Sequence, residues 1–143
     1  MARTVLRMSA ALAGAIRSLA IPGGRSDVPN FLLAGDVLLQ PSYHENTGTA
    51  ILEALAAGLP VLTVEACGYA HYVQAANAGV VLSAPFQQSE WNKELEKMLI
   101  SPQRTHWGQN GLSFAKSNDI YSLPERAADY IEVIGCGRER LSA

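Results

Sequence analysis

The chain has 143 residues, 48% of them hydrophobic and 17% charged, enough to bury the core of one domain and too apolar for a disordered segment. A net charge of −2 gives no reason to expect nucleic-acid binding. Two cysteines, Cys67 and Cys136, are too few for a disulfide scaffold or a four-cysteine zinc site, so a reduced, cytoplasmic setting is the default, and no apolar run reaches the length of a membrane span.

Charge is unevenly spread. Residues 1–26 carry four Arg and no acid, whereas residues 27–143 carry seven Lys or Arg against thirteen Asp or Glu. No Lys or Arg occurs from Asp27 to Asn92. An anion held there must rely on backbone N–H groups, helix ends or cations from elsewhere.

In chain order, residues 1–23 begin with a basic amphipathic helix, Val5, Leu6, Ala10, Leu12, Ala13, Ile16 and Leu19 recurring near helical spacing until Ile21-Pro22-Gly23-Gly24 breaks it. Three readings stay open: the start of a domain whose upstream part lies elsewhere, a targeting segment, or a helix touching an anionic membrane surface. Asp36–Gln40 reads as a buried strand ended by Pro41. Asn46-Thr47-Gly48-Thr49 supplies cap-forming side chains to a helix over Ala50–Ala57, stopped by Gly58 and Pro60. Val61–Val64 is a second strand, Tyr69–Asn77 a helix, and Val80–Leu82 a third strand. Amphipathic helices follow over Gln87–Ile100, Pro102–Lys116 and Pro124–Ile134, with a loose tail from Gly135. Strands alternating with helices imply βαβ units and a parallel sheet covered on both faces.

Ligands of such sheets bind at the carboxyl ends of the strands. Pro41–Thr49 lies there and runs into a helix whose N-terminal amides favour an anion. Gly48 would let a ligand approach the backbone. Glu53 is the only charged residue from Asn46 to Val64, in a helix that looks packed on most faces. An ionised Glu there needs a wet face, a cation or hydroxyl donors, and a ribose diol supplies two. Glu45, eight residues earlier, lies near the same helix end and suits the hydroxyls of a second group. Among nine Glu this spacing alone is weak evidence; the strand, loop and helix around it give it weight.

Glu45-x7-Glu53 with Ala57-Gly58-Leu59-Pro60-Val61 after it and Asp36–Ser42 before it resembles the donor half of the retaining GT-B glycosyltransferases of family 4. Gly24-Arg-Ser-Asp-Val28, Cys67–Tyr72, Ala76-Asn77, Pro85-Phe86 and Tyr121–Glu125 make it most similar to the lipopolysaccharide core glucosyltransferases. The resemblance implies a Rossmann-like parallel sheet flanked by helices, the C-terminal half of a GT-B enzyme. Residues 24–134 would be the nucleotide-sugar donor domain, cut short on its N-terminal side. It implies that Glu53 binds the nucleotide ribose and that Glu45, the candidate catalytic residue, binds the donor sugar. Amides of Asn46, Thr47, Gly48 and Thr49 would meet the diphosphate or sugar, and Gly68 to His71 would border the pocket. It further implies UDP-glucose as donor, a lipopolysaccharide core acceptor, no resident cofactor and no catalytic metal. A separate acceptor domain, and the strands that place an Arg/Lys pair on the diphosphate, are expected outside this stretch, so that the chain alone would transfer little or no sugar.

The pattern departs in two places. Asn46 and Thr47 stand where the family has Gly and an aromatic, and Asn46 tolerates the left-handed turn Gly would supply. His71 stands where many members carry a carboxylate. His44 reads either as a general base or as a polar loop contact. Ser42 lacks a hydrolase nucleophile setting, and three scattered His give no metal-ligand spacing. A non-catalytic nucleotide-sugar-binding module and a sugar epimerase of the same fold are the competing functions.

Overall fold

The computed structural model describes residues 26–139. The basic helix expected over residues 1–23 lies outside them. The elements are α1 (Val28–Ala34), β1 (Leu38–Gln40), α2 (Thr49–Ala57), β2 (Val61–Val64), α3 (Ala70–Ala76), β3 (Gly79–Leu82), α4 (Gln88–Ile100), α5 (Arg104–Ser117) and α6 (Leu123–Glu139). Among the described residues this is a three-stranded parallel sheet in the order β1-β2-β3 with six helices around it. Leu38 pairs with Val61 and Gln40 with Thr63; Val61 in turn pairs with Gly79 and Val64 with Leu82.

Side chains of a strand alternate between faces, and both faces are covered. On one, Val61, Leu38 and Val81 meet Ile51, Ala54 and Leu55 of α2 and Ala70 and Val73 of α3. On the other, Leu62, Val64 and Leu82 pack against Trp91, Leu95 and Met98 of α4, with Trp107 of α5 at the rim. All four residues of β2 are therefore buried, which is why Val61, Leu62 and Val64 are apolar on both sides of the pleat and no polar alternation encodes the strand. Thr63, the buried polar residue of β2, donates through Oγ1 to the Gln40 carbonyl at 3.2 Å.

The crossover helices are fixed by their ends. Gly58 closes α2 at φ 71°, its N–H bonded to the carbonyls of Ala54 and Leu55. Helix α5 lies backbone-close on α2. A Cβ on Gly108 would collide with the Gly58 carbonyl, and one on Gly111 would sit 3.2 Å from the Leu55 carbonyl. Truncating the fully buried Leu55 to Ala should cost about 2–5 kcal/mol.

Two expectations need correction, and one helix has no counterpart in the sequence reading. Helix α1 carries no apolar period long enough to announce it, having seven residues and no buried side chain. The first strand starts at Leu38, not Asp36. Helix α6 runs to Glu139 through Gly135 and Gly137, so those glycines do not start a loose tail. No helix among the described residues is long and apolar enough to cross a membrane.

Candidate functional site

Parallel strands bring three loops to one edge, the carboxyl ends of β1, β2 and β3, and the structure ties them together. Glu45 forms a parallel bridge with Cys67. The Tyr69 N–H donates to the Thr47 carbonyl at 2.9 Å, and a Cβ on Gly68 would fall on the Asn46 carbonyl. The Ala84 N–H donates to Glu65 Oε2 at 3.2 Å, and the Tyr43 and Phe86 rings meet edge-on at 5.1 Å. The loop over Glu45, Asn46, Thr47 and Gly48 is thus in contact with Cys67, Gly68 and Tyr69.

Glu45 is half-buried and its carboxylate is held on one side. Oε2 accepts from Gln40 Nε2 at 2.5 Å and Ser42 Oγ at 2.6 Å, with Cys67 Sγ at 3.8 Å. Gln40 Nε2 also donates to Ser42 Oγ at 3.1 Å. Burial, with the Glu45 charge beside it, pushes the Cys67 thiol above its ordinary value, so it stays a neutral S–H. Neither Gln40 nor Ser42 stood out in the sequence as a partner of Glu45. The signal available was the period of two that puts positions 40 and 42 on one side of the strand end.

Gly48 caps α2 in the left-handed region at φ 75°, without a side-chain cap. The cap-forming side chains expected at residues 46–49 therefore do not cap. The left-handed residue is Gly48 and not Asn46, since Asn77 is the non-glycine with positive φ among the described residues. Nor does Gly48 leave room for a ligand: it is buried, and a Cβ on it would lie 2.6 Å from Cys67 Sγ. Asn46, Thr47 and Thr49 are exposed along the loop. His71 is exposed too, its Nδ1 2.8 Å from the Gly68 carbonyl and its ring 4.1 Å from that of Tyr72. His44 projects from the loop into solvent.

Glu53 is the main correction. It is exposed, not packed among alanines and leucines. Thr49, Glu53 and Ala56 recur at i, i+4 and i+7 and form the wet stripe of α2, while Ile51, Leu52, Ala54 and Leu55 face inward. Glu53 stands at the rim of a cavity of about 350 Å³ between α1 and α2, lined also by Val28, Leu32, Ala57 and Tyr121. The Tyr121 hydroxyl donates to the Leu52 carbonyl at 3.4 Å, and burial, then the Glu53 charge, raise its phenol above the ordinary value. A second cavity, about 250 Å³, lies among the carboxyl-edge loops, lined by Ser42, Tyr43, Val64, Ala66, Pro85 and Phe86. Among the described residues no three His, Cys, Asp or Glu side chains gather as a metal site.

A family model described as glycosyl transferases group 1 matches residues 3–114. The lipopolysaccharide glucosyltransferase WaaG of Escherichia coli K12 is 50% identical over 109 residues, covering 76% of this chain and 29% of that protein. The probable sucrose-phosphate synthase of Beta vulgaris is 30% identical over 121 residues, covering 81% of this chain and 11% of that one. The crystal structure of WaaG, a glycosyltransferase involved in lipopolysaccharide biosynthesis, superposes with a TM-score of 0.73 at 50% identity, over 76% of this chain and 30% of that chain. The chain spans less than a third of the length of these relatives.

Proposed function

The chain belongs to the group 1 glycosyl transferases, and from that premise we propose that it is the nucleotide-sugar donor half of a retaining GT-B enzyme, taking glucose from UDP-glucose to a lipopolysaccharide core acceptor. In this reading Glu53 accepts the two ribose hydroxyls at the mouth of the α1–α2 cavity. Glu45 accepts hydroxyls of the glucose. The uncapped amides at the start of α2 and the exposed loop residues Asn46, Thr47 and Thr49 face the diphosphate. The bond from the sugar anomeric carbon to the diphosphate breaks, and an acceptor hydroxyl bonds to that carbon on the same face. Its proton leaves with the diphosphate or to water. The observation that carries the reading is the Glu45 carboxylate, tied down through Oε2 at the strand edge directly before α2. The likeness to WaaG supports the acceptor and the sugar.

Same-face transfer requires the acceptor to be placed against the donor, and positioning of this kind supplies much of the rate. The 143-residue chain by itself is therefore expected to bind the donor and to show little or no transfer in a coupled assay. UDP titrated by calorimetry should release heat, and Glu53→Ala should remove most of it. Absence of heat with the unchanged chain, or robust transfer by the chain alone, would contradict this. A second reading, a module that binds nucleotide sugar without transferring it, is favoured by the lack of any Lys or Arg from Asp27 to Asn92 to neutralise a leaving diphosphate. Restoration of transfer by adding a separately made acceptor domain would decide against it. A chain that interconverts UDP-sugars with no acceptor present would instead be an epimerase. Contact with the inner face of a membrane belongs to the same proposal, and vesicles of anionic lipid that fail to retain the chain would remove it.

A further inference from the structure

Three donors converge on one oxygen of Glu45. Gln40 Nε2 lies 2.5 Å from Oε2, Ser42 Oγ 2.6 Å and Cys67 Sγ 3.8 Å, while Oε1 has no protein partner among the described residues. Gln40 uses its second N–H on Ser42 Oγ at 3.1 Å. The Ser42 hydroxyl, accepting from Gln40, must therefore donate to Glu45. Every neighbour of Oε2 is a donor, so that oxygen is engaged by the protein and Oε1 is the one left for a further partner. Its orientation is fixed before any ligand arrives, because Gln40 ends β1 and Ser42 follows Pro41 at the strand edge.

We propose that Gln40 and Ser42 are positioning residues that lock the Glu45 carboxylate so that Oε1 accepts a hydroxyl of the donor sugar, making recognition of the sugar separable from recognition of the nucleotide. This rests on the donor-site reading above and adds to it the residues that set sugar affinity. Accepting from a sugar hydroxyl, Oε1 would discriminate against a deoxy or fluoro sugar at that position. A free carboxylate would lose rotamer entropy on binding, and the two fixed bonds remove that loss in advance.

The test compares UDP with UDP-glucose as ligands of the full chain, by calorimetry, in the unchanged protein and in Ser42→Ala, Gln40→Leu and Ser42→Thr. UDP-glucose affinity should fall about tenfold in Ser42→Ala and Gln40→Leu. UDP affinity should stay within twofold, and Ser42→Thr, which keeps the hydroxyl, should recover most of the loss. A ligand-free readout guards against a folding artefact. The Gln40 side-chain amide proton should resonate downfield because it donates to a carboxylate, and should return to the ordinary range in Glu45→Gln. Equal loss of both ligands in Ser42→Ala overturns the proposal, as does no loss of either. An ordinary Gln40 amide shift in the unchanged chain overturns it independently of any ligand. If the unchanged chain binds neither ligand while the Gln40 signature is present, the donor-site reading and the sugar role fall together.

Discussion

Two glutamates eight residues apart sit in opposite surroundings. Glu45 is half-buried at the meeting of two loops, with donors packed around one oxygen and glycines at 48 and 68 where any side chain would collide. Glu53 is exposed on a helix stripe beside an apolar cavity, where its nearest electrostatic effect is on the Tyr121 phenol. A residue type within one motif thus does two jobs: the first carboxylate is built into the fold, and the second is presented by it. Substitutions around Glu45 should therefore disturb stability and binding together, whereas substitutions at Glu53 should disturb binding alone.

The largest expected effect is Gly68→Ala. Its methyl group would fall on the Asn46 carbonyl, a backbone atom that cannot rotate away. A loss of about 3 kcal/mol in urea unfolding, with UDP-glucose binding abolished, is expected. A wild-type midpoint would mean that the two loops are not in contact. Gly48→Ala comes next, combining a positive φ with a Cβ 2.6 Å from Cys67 Sγ. It should cost about 2 kcal/mol by the same measurement. Glu53→Ala sharpens the contrast from the other side. UDP affinity should fall about 10- to 100-fold while the unfolding midpoint stays put, since the side chain is exposed. Equal loss of stability would place Glu53 in the core after all.

A smaller effect concerns pH. Burial, then the Glu53 charge, raise the Tyr121 phenol, so the folded state holds that proton to higher pH than the unfolded chain. Stability should accordingly be constant below the ordinary phenol value of about 10 and decline as pH rises through and beyond it. Glu53→Gln removes the second cause and should move the Tyr121 transition downward in a tyrosinate absorbance titration. An unmoved transition would show that the two side chains do not sense each other. Smallest is Arg104→Ala, which breaks a 3.0 Å pair with Asp36 at the surface and should change stability by less than about 0.5 kcal/mol.

The sequence carried the sheet well because β2 is buried on both faces and is apolar at Val61, Leu62 and Val64 on both sides of the pleat, and because Gly58 and Pro60 punctuate the helix before it. It misled at Glu53 because alanine is silent about burial. Ala56 is exposed and Ala54 is fully buried, yet the two read alike, so the wet stripe of α2 was invisible. Helix α1 was missed because, with no buried side chain, it leaves no periodic trace. The continuation of α6 through Gly135 and Gly137 was missed because glycine lowers helix propensity without forbidding the conformation. At the site, the loops' proximity followed from parallel strands. The roles of Gln40 and Ser42 did not, because a hydrogen bond across five residues depends on the path of the loop between them, which no periodicity encodes.

Donor recognition turns on which group meets the Glu45 carboxylate. A crystal structure of the chain with UDP-glucose measures that directly. A glucose hydroxyl within hydrogen-bond distance of Glu45 Oε1, with Oε2 still held by Gln40 and Ser42 and the ribose at Glu53, is the expected result. Glucose bound away from Glu45, or a carboxylate swung free of Gln40 and Ser42 to meet it, would contradict it.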